Sequence, residues 1–202
     1  MDYVVPSETI LALCLGIGLS AACGFRVFVP LLGINLAAAS GHLTLADGFE
    51  WLASPAATVV FSTATVLEIG AYYVPWVDHL LDSLATPAAA VAGVIVTAAV
   101  ITEMSPLLKW SLAVIAGGGT AGTVQTSTVM LRGVSTYTTA GMGNFVVSTG
   151  EWFFSLVMTA VAIVAPFVAA GIVLIAGFAV VRWLTAPSVR FAPAEKKFTP
   201  AK

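Results

Sequence analysis

Charge is scarce in this sequence. Lys, Arg, Asp and Glu together make up 9% of its 202 residues, whereas a soluble domain carries roughly a quarter. A water-facing surface cannot be built from so little. Basic residues are also missing ahead of the first apolar stretch, where Asp2 and Glu8 stand without any Lys or Arg. The basic n-region of a cleavable signal peptide is therefore lacking, and that stretch is expected to be a retained helix. Cysteine is limited to Cys14 and Cys23. Nine residues apart in one helix, they would sit on opposite faces and about 13 Å apart along the axis, too far to form a disulfide with each other. Histidine is limited to His42 and His79, both outside the apolar runs, and no Gly-x-Ser-x-Gly elbow is present. No Ser/His/Asp arrangement can be assembled, and an enzyme is not expected. The glycines Gly117, Gly118 and Gly119 are not followed by Gly-Lys-Ser/Thr, so they form no phosphate loop. A net charge of −2, with the basic residues gathered in a short tail, gives no footprint for nucleic acid.

What is present in abundance is apolar surface. Hydrophobic residues reach 59% and the mean hydropathy is +1.00. Lipid is then the main solvent, and in lipid each spanning backbone must satisfy its own hydrogen bonds. The apolar runs are long and unbroken rather than alternating, which selects helices over a barrel. The expected fold is all-α, a polytopic integral membrane bundle of about six transmembrane helices.

The first run, residues 9–40, is longer than a hydrocarbon core of about 30 Å requires. Interrupted by Cys23-Gly24-Phe25-Arg26 and by Pro30, it is expected to be tilted, kinked near Pro30 or broken into two half-helices. The second run covers 56–75. A polar interlude at 76–86 precedes a slightly short third run at 87–102, and Glu103 to Pro106 make the next turn. The fourth run, 107–131, combines the glycines with a polar string around Gln125, a composition that lets neighbouring backbones approach closely. After Arg132 a loop rich in Gly, Ser and Thr is expected to reach Asn144. The stretch 146–184 is too long for one crossing and is divided at Pro166 into a fifth and a sixth helix. The domain plan is thus a cytoplasmic segment at 1–8, a transmembrane domain at 9–184 and a disordered cytoplasmic tail at 185–202.

Six crossings put both termini on one side. Arg132, Arg182, Arg190, Lys196, Lys197 and Lys202 fall there and Lys109 falls opposite. The positive-inside rule places that side in the cytoplasm, with the chain in the inner (plasma) membrane. Trp51, Trp76, Trp110, Trp152 and Trp183 lie near the expected helix ends, where an aromatic belt would hold them. A faint 3+3 inverted repeat is also readable. Gly18, Ala21 and Gly24 open one half and Gly118, Ala121 and Gly122 the other, each followed by a helix with one carboxylate, Glu68 and then Glu151.

Arg26 is the most informative residue, because a guanidinium within an apolar run costs at least about 2.5 kcal/mol unless paired or wetted. Glu68 faces a similar penalty. The two are expected either to meet or to share a midplane polar cavity with Gln125, Thr126 and Thr128. Glu151 is expected near the cytoplasmic interface, where an acid suits the start of a helix. Asp78, His79 and Asp82 have a spacing that puts the two carboxylates on one helical face beside an imidazole. With His42 across the membrane they lack further ligands, and the expectation is an interfacial amphipathic turn with no metal.

Several motifs together carry a resemblance. They are the run from Gly18 through Arg26 to Leu32, Leu67-Glu68-Ile69 with Tyr72-Tyr73-Val74-Pro75-Trp76, Ala85-Thr86-Pro87, Met104-Ser105-Pro106 and the residues around Gly117 to Gly122. The chain resembles the bacterial membrane family catalogued as domain of unknown function 4126, over roughly residues 11–184. That resemblance implies a multi-spanning membrane protein and transfers no catalytic residue or cofactor. Gly143-Asn144 looks like a later family motif, with Phe145 standing where a proline is expected.

Two readings of function follow. In the first, Arg26, Glu68 and the Gln125 region form the polar site of a small transporter or channel for an anionic or zwitterionic solute or a proton. In the second, the charges only hold helices together in a structural or partner-binding protein. A third, an intramembrane enzyme or lipid-handling protein resting on Asp78, His79 and Asp82, is the weakest. The bilayer is the one certain partner, and at this chain length a homo-oligomer is an expectation.

Overall fold

A computed structural model describes residues 7–185, without the side chains of residues 75–82, 183 and 184. Its regular structure is helical throughout: α1 (Ser7–Phe25), α2 (Phe28–Ala39), α3 (Pro55–Ala71), α4 (Pro75–Val100), α5 (Pro106–Leu112), α6 (Gly119–Thr139), α7 (Asn144–Val164) and α8 (Pro166–Thr185). A short 3-10 turn, Glu50–Ala53, precedes α3, and a π-helical turn, Ala113–Gly118, joins α5 to α6. By length and composition, Ser7–Phe25, Ser83–Val100 and Asn144–Val164 can each cross a membrane. The outer surface is apolar, with Leu67, Leu107, Ile115, Val146 and Ile175 all more than 60% exposed. A chain that turns such residues outward while burying Arg, Glu, Gln and Asn is built for lipid.

The first apolar run is broken, and the break falls at Arg26 and Val27 rather than at Pro30. Gly18 and Gly33 are fifteen residues apart, which would be about 22 Å in a continuous helix. Yet Gly18 lies against Ala162 and Gly33 against Thr159, less than one turn apart on α7. The chain therefore reverses, and α1 and α2 form a hairpin with Arg26 at its tip. This reversal was not contained in the six-crossing count, so the side of the N-terminus does not follow from that count. A second sharp bend falls at Ala165, where φ is −140° and ψ 69°. A Cβ on Gly18 would meet both Ala162 and Ala169, residues that a straight helix would hold about 10 Å apart. The division at Pro166 is thus present.

Two boundaries differ from expectation. α4 runs without interruption from Pro75 through Pro87, so the polar interlude is helical and the third run is not short. Its polar residues Asp78, His79 and Asp82 interrupt hydropathy without interrupting the backbone ladder. α6 continues seven residues past Arg132 to Thr139, because Ser, Thr and Gly in the expected loop are tolerated in a helix whose hydroxyls bond back one turn, as Thr138 Oγ1 does to Val134 O at 2.9 Å. α8 extends to Thr185, and the expected tail beyond it lies outside the described residues.

Small residues let α1 sit at the centre of the bundle. Gly16, Gly18, Ser20, Ala21, Ala22 and Gly24 are all buried on it. Ser20 Oγ stands 3.0 Å from Gly93 O and 2.8 Å from Thr97 Oγ1, tying α1 to α4. α4 in turn meets the π-helical turn where Gly93 faces Gly117. A Cβ on Gly93 would come within 2.6 Å of Ala121 Cβ and 2.7 Å of Gly117 O. Overpacking of this kind costs about 1–3 kcal/mol, and here part of the obstacle is backbone. Gly93→Ala is expected to lower the melting midpoint of the purified protein in detergent, followed by circular dichroism. Gly70→Ala, which meets nothing within 4 Å, should leave it unchanged; equal midpoints for the two variants would refute this packing.

At the far end of the hairpin, Asn35 is fully buried. Its Nδ2 donates to Leu52 O at 2.6 Å and its Oδ1 accepts from Thr58 Oγ1 at 2.9 Å. These bonds hold α2 antiparallel to α3, and they place the tip of the hairpin beside the last turn of α3.

Candidate functional site

Four elements converge at that tip. The break between α1 and α2 supplies Arg26, the end of α3 supplies Glu68 and then Tyr72, α6 supplies Arg132, and α7 supplies Ser148 and Glu151. Arg26, Arg132 and Glu151 are only 2–4% exposed. Glu151 is the centre of the arrangement. Its Oε1 accepts from Arg132 Nε at 3.0 Å, and its Oε2 is shared between Arg132 Nη2, in a very close contact, and Arg26 Nη2 at 3.2 Å. The same Arg26 nitrogen donates to Ser148 O at 3.1 Å. Both guanidiniums lie against the ring of Tyr72, 3.7 Å from its centroid for Arg26 and 4.1 Å for Arg132, so cation–π attraction adds to the ion pairs.

Arg26 and Glu68, expected either to meet or to share a cavity, each have a different direct partner. Glu68 sits in the last turn of α3, and its carboxylate accepts from the backbone N–H of Val27 at 2.8 Å and of Phe28 at 3.1 Å. The first N–H groups of a helix have no intrahelical acceptor, and their aligned dipoles favour a negative charge. Breaking the first run at Val27 creates that demand within the bundle, and Glu68 meets it. Glu68 and Arg26 remain within electrostatic reach of each other.

Glu151 does not stand at the start of its helix. α7 begins at Asn144, so Glu151 lies seven residues, about 10 Å, inside the helix. Its burial follows from pairing with two cations rather than from a helix-end position. Arg132, expected to open a loop, is buried in the same cluster and drops out of the charge count for membrane orientation. The cluster lies nearer the end of the bundle formed by the 72–74 and 140–143 connections than the end holding Asn35. Gln125 and Thr128 are buried on the face of α6 that also carries Arg132. Thr128 Oγ1 bonds back to Gln125 O at 2.9 Å. Thr126 is exposed, its hydroxyl bonded to Gly122 O at 2.8 Å, and it does not join them. The side chains of Asp78, His79 and Asp82 lie outside the described residues. His42 is exposed and pairs with Ser40 Oγ at 2.9 Å.

Tyr72, Arg132 and Ser148 were not among the expected site residues, although signals for each were present. Tyr72 follows Glu68 by four residues and Ser148 precedes Glu151 by three, both helical neighbour spacings. Gln125, Thr128 and Arg132 follow the i, i+3, i+7 pattern of one helix face. Chemically the arrangement offers buried donors beyond what its acceptors use: Arg26 Nε and Nη1 and the hydroxyls of Ser148 and Thr65 are buried without a hydrogen-bond partner.

No curated protein and no solved structure matches this chain. The family model described as "Domain of unknown function (DUF4126)" matches residues 13–186, nearly the whole helical bundle, and the chain belongs to that family.

Proposed function

We propose that the protein binds and passes a small anionic or zwitterionic solute, or a proton, through the interior of the bundle at the cluster of Arg26, Arg132 and Glu151, here closed to both sides. The observation that carries this reading is the surplus of buried donors on Arg26. A group that only latched helices would be expected to have all its donors met, because each unmet one costs about 1–3 kcal/mol. The N-terminus of the short helix α2 points its dipole into the same region, as broken helices do at solute sites in membrane carriers.

A second reading has its own support. Both ion pairs are direct and deeply buried, which suits a structural lock or the core of a partner-binding protein. The basic residues Arg182, Arg190, Lys196, Lys197 and Lys202, against Lys109, favour a cytoplasmic C-terminus in the plasma membrane of a bacterium. A bundle this small suits a homo-oligomer.

The deciding experiment is flux into vesicles reconstituted with the purified protein, using chloride, acetate, a small amino acid and a proton-sensitive dye in turn. At least one should enter faster than into protein-free vesicles, and Arg26→Gln should remove the difference while the protein still elutes as a single species. Flux at the protein-free level for every probe, or flux indifferent to Arg26, refutes the reading.

A further inference from the structure

Two features meet where α1 gives way to α2. The N-terminus of α2 presents the N–H groups of Val27 and Phe28, and a carboxylate from another helix, Glu68, is seated on them. The residue just before, Arg26, is 2% exposed and keeps Nε and Nη1 without any acceptor. Val27 has no polar side chain and cannot cap its own helix, so the capping acceptor is brought in from Glu68, forty-one residues away in sequence. The result is a monovalent oxyanion held by a helix N-terminus beside a guanidinium with donors to spare.

We infer that the N-terminus of α2 and Arg26 together form a binding place for a small monovalent anion, and that the Glu68 carboxylate occupies it as a tethered competitor. The seat has the attributes of an anion site: aligned backbone donors, a favourable dipole and a cation excluded from water. The occupant is monovalent because it takes the place of the single carboxylate charge that Glu68 now places on the N–H groups of Val27 and Phe28. It is small because the seat is part-buried, with Val27 9% and the adjoining Arg26 2% exposed. Formate matches the two oxygens that Glu68 now presents, and chloride matches only its charge. The inference deepens the transport reading, since withdrawal of Glu68 would let a free anion enter the seat.

The test is anion binding by Glu68→Ala, purified in detergent and melted while sodium formate or chloride replaces gluconate at constant ionic strength. The variant should melt below the wild type, and formate should raise its midpoint saturably at millimolar concentration, more than chloride does. The wild type, whose seat is filled, should not respond. Adding Arg26→Gln to Glu68→Ala should abolish the response. A folded Glu68→Ala protein with no anion-specific shift, or one whose shift survives loss of Arg26, overturns the inference. If Glu68→Ala cannot be recovered folded even when formate is present throughout purification, Glu68→Gln decides. It keeps one acceptor on α2 and drops only the charge, and the absence of an Arg26-dependent chloride shift in it likewise overturns the inference. The readout is independent of passage: formate binding by a protein whose vesicles stay impermeable keeps the anion seat and refutes only transport.

Discussion

Glu151→Gln is expected to be the most damaging single substitution in the chain. Glu151 is contacted directly by both Arg26 and Arg132, and all three groups are at most 4% exposed. A carboxamide keeps the shape and removes the charge, leaving two guanidiniums stacked on one tyrosine ring without the carboxylate they share. Removing one partner of a buried ion pair costs about 3–5 kcal/mol, because the other is left uncompensated. For a chain of this length that is a fall of roughly 6–20 °C in melting midpoint. Glu103→Gln, at an exposed position, serves as the control and should change nothing. A Glu151→Gln midpoint within a degree or two of the wild type would mean that the cluster is hydrated, because only water could neutralise the cost so fully.

The helical, lipid-facing character of the chain was legible because it depends on composition, and composition is averaged over many residues. The break in the first run was legible as one of three forms, since a guanidinium and a proline within four residues make a continuous buried helix unfavourable. Its location was legible only as one of two interruptions, because the choice between Arg26 and Pro30 depends on what lies beside each, and Glu68 comes from a helix that the local sequence cannot see. Arg26 and Glu68 stood out as charges within apolar runs, and a direct pair was one of two expectations for them, because two opposite buried charges look like partners when no third is in view. Glu151 was undervalued for the same reason. Its position in α7 depends on where that helix begins, and Phe145 in place of a proline obscured the start. Arg132 illustrates the opposite failure: Gly133, Ser135 and Thr136 look like loop by propensity, but the pairing of Arg132 with Glu151 and the bond from Asn144 Nδ2 to Thr136 Oγ1 hold them in a helix. Helix faces such as Gln125, Thr128 and Arg132 are readable from spacing, whereas contacts between helices distant in sequence are not.

The two functional readings separate most sharply when the whole cluster is made apolar at once. In the variant carrying Arg26→Met, Arg132→Met and Glu151→Leu, no charge of the triad is left without its partner. Replacing a buried ion cluster by hydrophobic groups of similar volume is often neutral or stabilising by about 1–4 kcal/mol, and lipid outside the bundle offers these side chains no competing solvent. Glu68 would still cap α2, because the donors to its carboxylate are the N–H groups of Val27 and Phe28 rather than the triad. The triple variant should therefore melt at or above the wild-type midpoint, far above Glu151→Gln. If the cluster passes a solute, flux in vesicles should drop to the protein-free level in this well-folded protein, a loss that instability cannot explain. Flux that persists would show that the charges are a lock and that any pathway runs elsewhere in the bundle. A triple variant that melts as low as Glu151→Gln would instead place the stabilising role in packing around Tyr72, since both guanidiniums that stack on its ring would be gone along with the charges.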